Sequence, residues 1–307
     1  RHELDAALVD LARSNGVEVL QGTSFCGLDQ RPDGVDVTLE CEGSRFVRKA
    51  SWLIAADGMW SPVRKYLELS PETYLGEWHA MRQYAHRVTG PARDRLMVWF
   101  EEDLLPGYAW SFPLVGDRVN LGYGIIRQPG VRTKDMTRRW NDIVQRPHIR
   151  EALGPDAVLE DRPTAWPIPA RIDEAITGSG RVLFVGDAVG ACDVLTGEGI
   201  GQALLTGRLA ARAACSETGS SLDTARMVRR TYNLSVHDHL VTDHRMSLAL
   251  SSILSHSSGA RGAIAIVGRC GSWGREHFAR WMFEDQPRAI ALTPRRWFRH
   301  RLAHHAA

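Results

Sequence analysis

From Gly180 to Ala214 the chain reads as a short apolar run, a glycine-rich loop and a helix, an order that few folds accommodate. Val182 to Val185 is continuously apolar and stops at Gly186-Asp187. That predicts a buried parallel strand whose carboxyl end delivers Asp187 to a crevice, where ligands of open α/β sheets bind. Gly197-Glu198-Gly199 then opens a helix with small or apolar residues at Ile200, Ala203, Leu204, Gly207 and Ala210. Its unpaired N–H groups and positive end face the same crevice, which suits an anionic or electron-rich cofactor. The competing reading is that the glycines serve packing alone; the length and order of the pattern argue against it.

A second strand end repeats the theme. Ser51 to Ala56 reads as a buried strand, followed by Asp57-Gly58 and by Met59-Trp60-Ser61-Pro62-Val63-Arg64 at a helix start. Alone, Asp-Gly is a common turn and Ser-Pro a common helix entry. Between the two motifs the character changes: Met81–Val88, Arg95–Phe100, Tyr108–Val115 and Arg118–Ile126 carry strand-like β-branched and aromatic residues. Gly116-Asp117 closes the last two into a hairpin, and Glu42-Gly43 does so for Val35–Glu40 and Arg45–Ala50. In a strand, Tyr108, Trp110 and Phe112 share one face. They make either ordinary core or an aromatic wall against a bound ligand.

Elsewhere the pattern is plainer. His2–Ser14 reads as a helix stopped by Asn15-Gly16 before a strand over Val17–Leu20. Arg132–Leu153 reads as a charged helix, and Ala165-Trp166-Pro167-Ile168-Pro169 as an extended approach to the Gly180 strand.

The Gly186 segment resembles the second flavin-binding motif of FAD-dependent oxidoreductases with the aromatic-hydroxylase type of fold, matching at Gly186, Asp187, Gly190, Gly197, Glu198, Gly199 and Ile200. Val189 and Val194 depart from the usual Ala and Pro. Asp57, Gly58, Ser61 and Arg64 are similar to the family's A-D-G-x-x-S-x-x-R motif, and Arg1 to the arginine that approaches the flavin. Tyr108-Ala109-Trp110-Ser111-Phe112-Pro113 resembles the Y-x-W-x-F-P signature of geranylgeranyl reductases. The resemblance runs from Arg1 to about Ala214. It implies an α/β fold: an incomplete FAD-binding Rossmann-like domain with an inserted antiparallel β-sheet substrate domain and a helical C-terminal region. The expected bounds are 1–75 and 171–215 for the FAD-binding domain, 76–170 for the sheet and 216–307 for the helical region.

The implied cofactor is FAD, held at Arg1, Asp57, Gly58, Gly186, Asp187, Gly190, Gly197, Glu198, Gly199 and Ile200, with NAD(P)H or a reduced protein as electron donor. The implied reaction is reduction of a C=C bond in an isoprenoid or lipid lying against Tyr108, Trp110 and Phe112. Cys192 and Tyr108 are candidate proton donors because they flank the expected cavity. The same scaffold supports flavin-dependent hydroxylation or halogenation, although halogenases carry W-x-W-x-I-P where this chain has Tyr108 and Phe112. A non-catalytic lipid- or flavin-binding module is the third reading. The family's first G-x-G-x-x-G unit has no place before Arg1 and no Met begins the chain, so a fragment is expected.

Five cysteines (Cys26, Cys41, Cys192, Cys215, Cys270) without a C-x-x-C pair indicate neither a disulfide framework nor a zinc site, which fits a cytoplasmic chain. No apolar run of about 18 residues encodes a membrane span, and the start does not read as a signal peptide. His237, His239 and His244 fall in a helix expected over Leu222–Leu250; His239 and His244 do not share a face as metal ligands would. After Pro287 come Arg288, Arg295, Arg296, Arg299 and Arg301 with Trp297 and Phe298, a basic aromatic tail suited to the inner face of an anionic membrane. No nucleic-acid recognition module is visible.

Overall fold

The computed structural model describes residues 2–70, 73–127, 133–217, 219, 221–269 and 271–272. Helix α1 (His2–Ser14) is followed by an antiparallel meander of β1 (Thr23–Gln30), β2 (Val35–Cys41) and β3 (Ser44–Ala50). Strand β4 (Leu53–Ala55) and helix α2 (Pro62–Tyr66) lead to β5 (Trp78–His86), β6 (Met97–Trp99), β7 (Tyr108–Pro113) and β8 (Val119–Ile126). Helices α3 (Thr133–Ile143) and α4 (Pro147–Leu153) precede β9 (Val158–Leu159) and β10 (Thr164–Ile168). The strands from β5 to β10 form one sheet in the order β10-β5-β8-β7-β6, with β9 also on β5. Strands β11 (Gly178–Ser179) and β12 (Val182–Phe184) join β4 in a third sheet, and α5 (Ile200–Cys215), α6 (Leu222–Val236), α7 (Thr242–Leu254) and α8 (Ser257–Arg269) follow.

The architecture is the expected α/β one, with an inserted antiparallel sheet and a helical C-terminal region. Strand β12 pairs in parallel with β4, Val182 opposite Leu53 and Phe184 opposite Ala55. All three residues of β12 are buried, and their core continues through Leu209 and Ala210 of α5 and Val228 and Tyr232 of α6. Tyr232 ties α6 to the strand by donating its hydroxyl to the Phe184 carbonyl at 2.7 Å. One face of the large sheet packs Met81, Leu121 and Tyr123 against Trp140 and Ile149 of α3 and α4. Its opposite face carries Tyr108 and Trp110 and turns toward Cys192 and Val194.

Local chemistry explains most boundaries. The β2–β3 turn places Glu42 at φ 50° and Gly43 at φ 78°, the left-handed pair that a two-residue hairpin needs. Ser61 caps α2 by accepting from the Arg64 N–H at 3.0 Å, with Pro62 in the first turn.

Some expectations change. Val17–Leu20 lies outside every described strand, and Val17 and Leu20 are exposed. Thr23–Gln30 does form a strand, masked in the pattern by an irregularity between Phe25 and Gly27 that breaks the alternation. The strand within Ser51–Ala56 is buried only at Ala55, and Ile54 is exposed. The charged stretch from Arg132 to Leu153 holds two helices, since Pro147 starts a new one. The extended segment before the Gly180 strand contains β10, an edge strand on β5, which is where a sheet tolerates a residue such as Pro167. The stretch Leu222–Leu250 is helical as expected, passing through a π-helical turn at His237–Val241.

Candidate cofactor and substrate site

Parallel pairing of β4 and β12 sends two chain segments out of the same sheet edge, and each carries an aspartate just beyond its strand. The Val185 N–H donates to the Ala55 carbonyl at 3.1 Å, so the ladder continues to the threshold of both motifs. Asp57 accepts from the Val63 N–H through Oδ2 at 3.0 Å, while its Oδ1 is buried with no hydrogen-bond partner. Gly58 sits at φ 79° with open space beside its Cα. That conformation strains any residue with a Cβ, and the open space lies at the strand's carboxyl end.

Arg64, the last residue of the same motif, serves the scaffold. Its guanidinium donates to the carbonyls of Ile176 at 3.0 Å, Ala188 at 3.2 Å and Leu69 at 3.1 Å, and lies over the Phe184 ring. Burial pushes its pKa down from the ordinary value, and neighbouring Arg171 adds to the effect. Asp57 and Asp187 are therefore held on one frame by a buried cation.

Beyond β12 the chain turns through Gly186–Val189, with the Gly186 N–H donating to Thr206 Oγ1 of α5 at 2.9 Å. Asp187 Oδ1 accepts from the Cys192 thiol at 3.2 Å. Burial, and then the Asp187 charge, hold the Cys192 thiol well above its usual range. A Cβ on Gly199 would meet Cys192 Sγ at 2.6 Å, so this glycine permits the close approach of loop and helix start. Gly190 closes the Gly186 turn in the left-handed region, and Gly197 lies against Ile168 and Trp78.

Sequence reasoning missed Asp193, which organises the loop. Its Oδ1 accepts from the N–H groups of Leu195 at 2.9 Å and Thr196 at 2.7 Å, and from Thr196 Oγ1 at 2.9 Å. Its Oδ2 meets Ser247 Oγ of α7 at 3.4 Å. The Asp-x-x-Thr spacing was the available signal. Glu198 uses its carboxylate to accept from the Gly201 N–H at 2.9 Å, within the first turn of α5, so that side chain caps the helix. Ile200 is exposed at the helix start.

The aromatic strand meets this loop directly. Tyr108 donates its hydroxyl to the Thr196 carbonyl, and Trp78 donates its indole N–H to the Val194 carbonyl at 2.8 Å. Tyr108, Trp110 and Phe112 run along one face with successive ring centroids 5.8 and 5.9 Å apart. The hydroxyl of Tyr108 and the thiol of Cys192 thus both point at protein acceptors, and neither is aimed as a free proton source. His244 is buried against Asp173 at 3.0 Å and His239 meets the Ser235 carbonyl; among the described residues no metal-ligand cluster exists. Arg1 and the basic tail from Arg288 to Arg301 lie outside the described residues.

The residues present fit FAD. Asp57 Oδ1 and Gln202 Oε1, the latter in the first turn of α5, are buried acceptors without partners. Acceptors in that state call for a ligand bearing hydroxyl donors, which the ribose and ribityl parts of FAD supply. The N-terminus of α5 adds N–H donors and a positive dipole end for a ring that gains negative charge.

Comparison with known proteins agrees. The family described as FAD binding domain matches residues 1–212. The digeranylgeranylglycerophospholipid reductase of Methanococcus vannielii is 27% identical over 222 residues, 72% of this chain and 55% of that protein. The chain thus spans about half the length of the curated relatives it matches. Among solved structures, a geranylgeranyl bacteriochlorophyll reductase-like protein from Thermoplasma acidophilum superposes with a TM-score of 0.73 at 17% identity, covering 95% of this chain and 73% of that one. The flavin-dependent halogenase CmlS superposes with a TM-score of 0.66 at 21% identity, covering 84% and 48%. At these identities the structural likeness is one of fold.

Proposed function

This chain belongs to the FAD-binding domain family, and on that premise we propose that it acts in an FAD-dependent reductase of carbon–carbon double bonds in an isoprenoid or lipid. The observation that carries the reading is the contact between β7 and the cofactor loop. Tyr108 is bonded to Thr196, so the aromatic row Tyr108, Trp110, Phe112 begins at the Gly197-Glu198-Gly199 loop and leads away from it. An extended apolar chain laid on that row brings one of its alkenes to the loop.

Bound FAD, once reduced by NAD(P)H or a reduced protein, would supply the hydride for one alkene carbon, the other carbon taking a proton. The chain's own residues bind the cofactor and orient the substrate. Asp57 and Asp187 bind cofactor hydroxyls with charge-assisted hydrogen bonds. The N-terminus of α5, shaped by Gly197 and Gly199 and capped by Glu198, stabilises negative charge. Gly186 and Gly190 shape the turn that presents Asp187, and Gly58 lets the backbone approach the ligand. Arg1 is included on the family resemblance alone. Trp78, Tyr108 and Val194 exclude water from the join between sheet and loop.

The test is anaerobic. Protein carrying reduced FAD is mixed with a geranylgeranyl lipid, and flavin reoxidation is followed together with product mass. Reoxidation without oxygen and a gain of two hydrogens per turnover supports the reading. Reoxidation only with oxygen, giving a hydroxylated or halogenated product, assigns the chain to the other flavin chemistry, and no reoxidation at all leaves a binding module.

Among the described residues no helix is long and apolar enough to cross a membrane. We place the protein in the cytoplasm, meeting its lipid at the inner membrane face through the Arg288–Arg301 tail. Co-sedimentation with anionic vesicles that is lost when the tail is removed supports this; unchanged co-sedimentation counts against it.

A further inference from the structure

Helices α6 and α7 are one helical run interrupted by the π-helical turn at His237–Val241, and that turn decides which face of α7 points inward. The buried residues of α6 are Ala225, Val228, Tyr232 and Val236, at the three-and-four spacing of an α-helix. Val241 of the π turn is the next one buried, five positions beyond Val236, and His244, Ser247 and Ser251 of α7 follow. Continued at α spacing, the stripe would have brought Asp243 inward. The wider turn, a device that recurs at functional sites, brings His244 there instead. The inward stripe thus changes from mainly apolar in α6 to polar in α7.

These polar groups meet two aspartates. His244 is 5% exposed, and its Nε2 lies 3.0 Å from Asp173 Oδ1. Ser247 is fully buried, with Oγ 3.4 Å from Asp193 Oδ2. The aspartates belong to two segments that are themselves joined. Ala170 and Ala191 form an antiparallel bridge, the Arg171 N–H donates to the Gly190 carbonyl at 2.9 Å, and the Cys192 N–H donates to the Pro169 carbonyl at 3.2 Å. The Gly190–Cys192 segment closes the turn that presents Asp187 and leads into the loop that Asp193 orders through Leu195 and Thr196. Its partner segment leads to Asp173. Two residues one turn apart on α7 therefore hold both sides of the bridge from which the cofactor loop springs.

We propose that His244, with Ser247 beside it, is a positioning residue for the flavin. By holding Asp173 and Asp193 it keeps the loop before α5 in the shape that favours the reduced, negatively charged ring of FAD over the neutral oxidised one. The role rests on the FAD site and is independent of the alkene reading. The N–H groups and positive end of α5 stabilise charge only within about one turn. A small shift of the loop accordingly costs the reduced ring more than the oxidised one.

Titration of the protein with oxidised FAD, and again anaerobically with FAD reduced by dithionite, gives two dissociation constants whose ratio reads this preference. His244→Leu removes the bond with a side chain that still fills the space, and Asp173→Ala removes it from the other side, at a partly exposed loop position. Each should weaken reduced FAD about tenfold more than oxidised FAD, which for two electrons is about 30 mV of potential. The double variant should go no further than either single one, because both remove the same contact. His244→Gln keeps a donor and should recover most of the loss. A ratio within about twofold of wild type in Asp173→Ala overturns the proposal, whether or not His244→Leu folds. Equal weakening of both forms overturns it too, since that marks a role in stability alone. A wild type that takes up FAD in neither form removes the FAD site, and this role with it.

Discussion

Trp78 donates its indole N–H to the main-chain carbonyl of Val194 at 2.8 Å, across 116 residues of sequence. The bond joins the first strand of the inserted sheet to the loop that precedes α5. Trp78 is 1% exposed, so the bond is shielded from water and its loss is felt. Trp78→Phe keeps an aromatic body but orphans the Val194 carbonyl, at a cost of about 1–3 kcal/mol. Thermal melts with and without added FAD check this: we expect a lower melting temperature and a larger loss of FAD-induced stabilisation, because the loop's position goes with the bond.

Asp187→Ala removes the carboxylate that leads the cofactor loop and the acceptor of the Cys192 thiol. Since charge-assisted hydrogen bonds have no substitute there, FAD affinity should fall by about 10- to 100-fold. Fluorescence titration of FAD measures it, and stoichiometric FAD in the purified variant would contradict the assignment of Asp187.

Arg64 behaves as a buried structural cation. Arg64→Met leaves the carbonyls of Ile176, Ala188 and Leu69 without their donor, and urea unfolding should show a loss of about 3 kcal/mol or more. A loss under about 1 kcal/mol, the range of a surface substitution, would mean that the three bonds do not hold the motifs together.

His79 sets an acid limit on stability. Burial, followed by the charge of Arg127, pushes its pKa below the ordinary 6.5. The folded state therefore binds this proton less readily than the unfolded chain does. The contribution is complete above about 6.5 and is lost as pH falls through the depressed folded value. Urea midpoints between neutral and mildly acidic pH should decline in the wild type and decline less in His79→Gln.

Trp110→Phe separates wall from core. A core tryptophan whose N–H is bonded loses stability on this change, but Trp110 Nε1 has no partner to lose. The melting temperature should hold or rise slightly, while single-turnover alkene reduction per bound FAD falls about tenfold or more as the chain loses its register on the row. Unchanged turnover with a large fall in melting temperature would return Trp110 to the core.

What the sequence determined by itself was local. Gly186-Asp187, Gly197-Glu198-Gly199, the Asp57-Gly58 turn and the Glu42-Gly43 hairpin are legible because backbone conformation over a few residues is set by glycine's freedom, cap chemistry and the alternation of apolar side chains. Alternation likewise put Tyr108, Trp110 and Phe112 on one face before any contact was known. Register and packing decided the rest. Arg64 finds the Ala188 carbonyl across 124 residues, Tyr108 finds Thr196 across 88, and Asp193 reaches Ser247 across 54. No spacing rule announces such pairs, because they depend on which strand lies beside which. A one-residue slip of β8 would have turned Gly122 to the opposite face and put a side chain where the Trp110 indole now leans over the glycine.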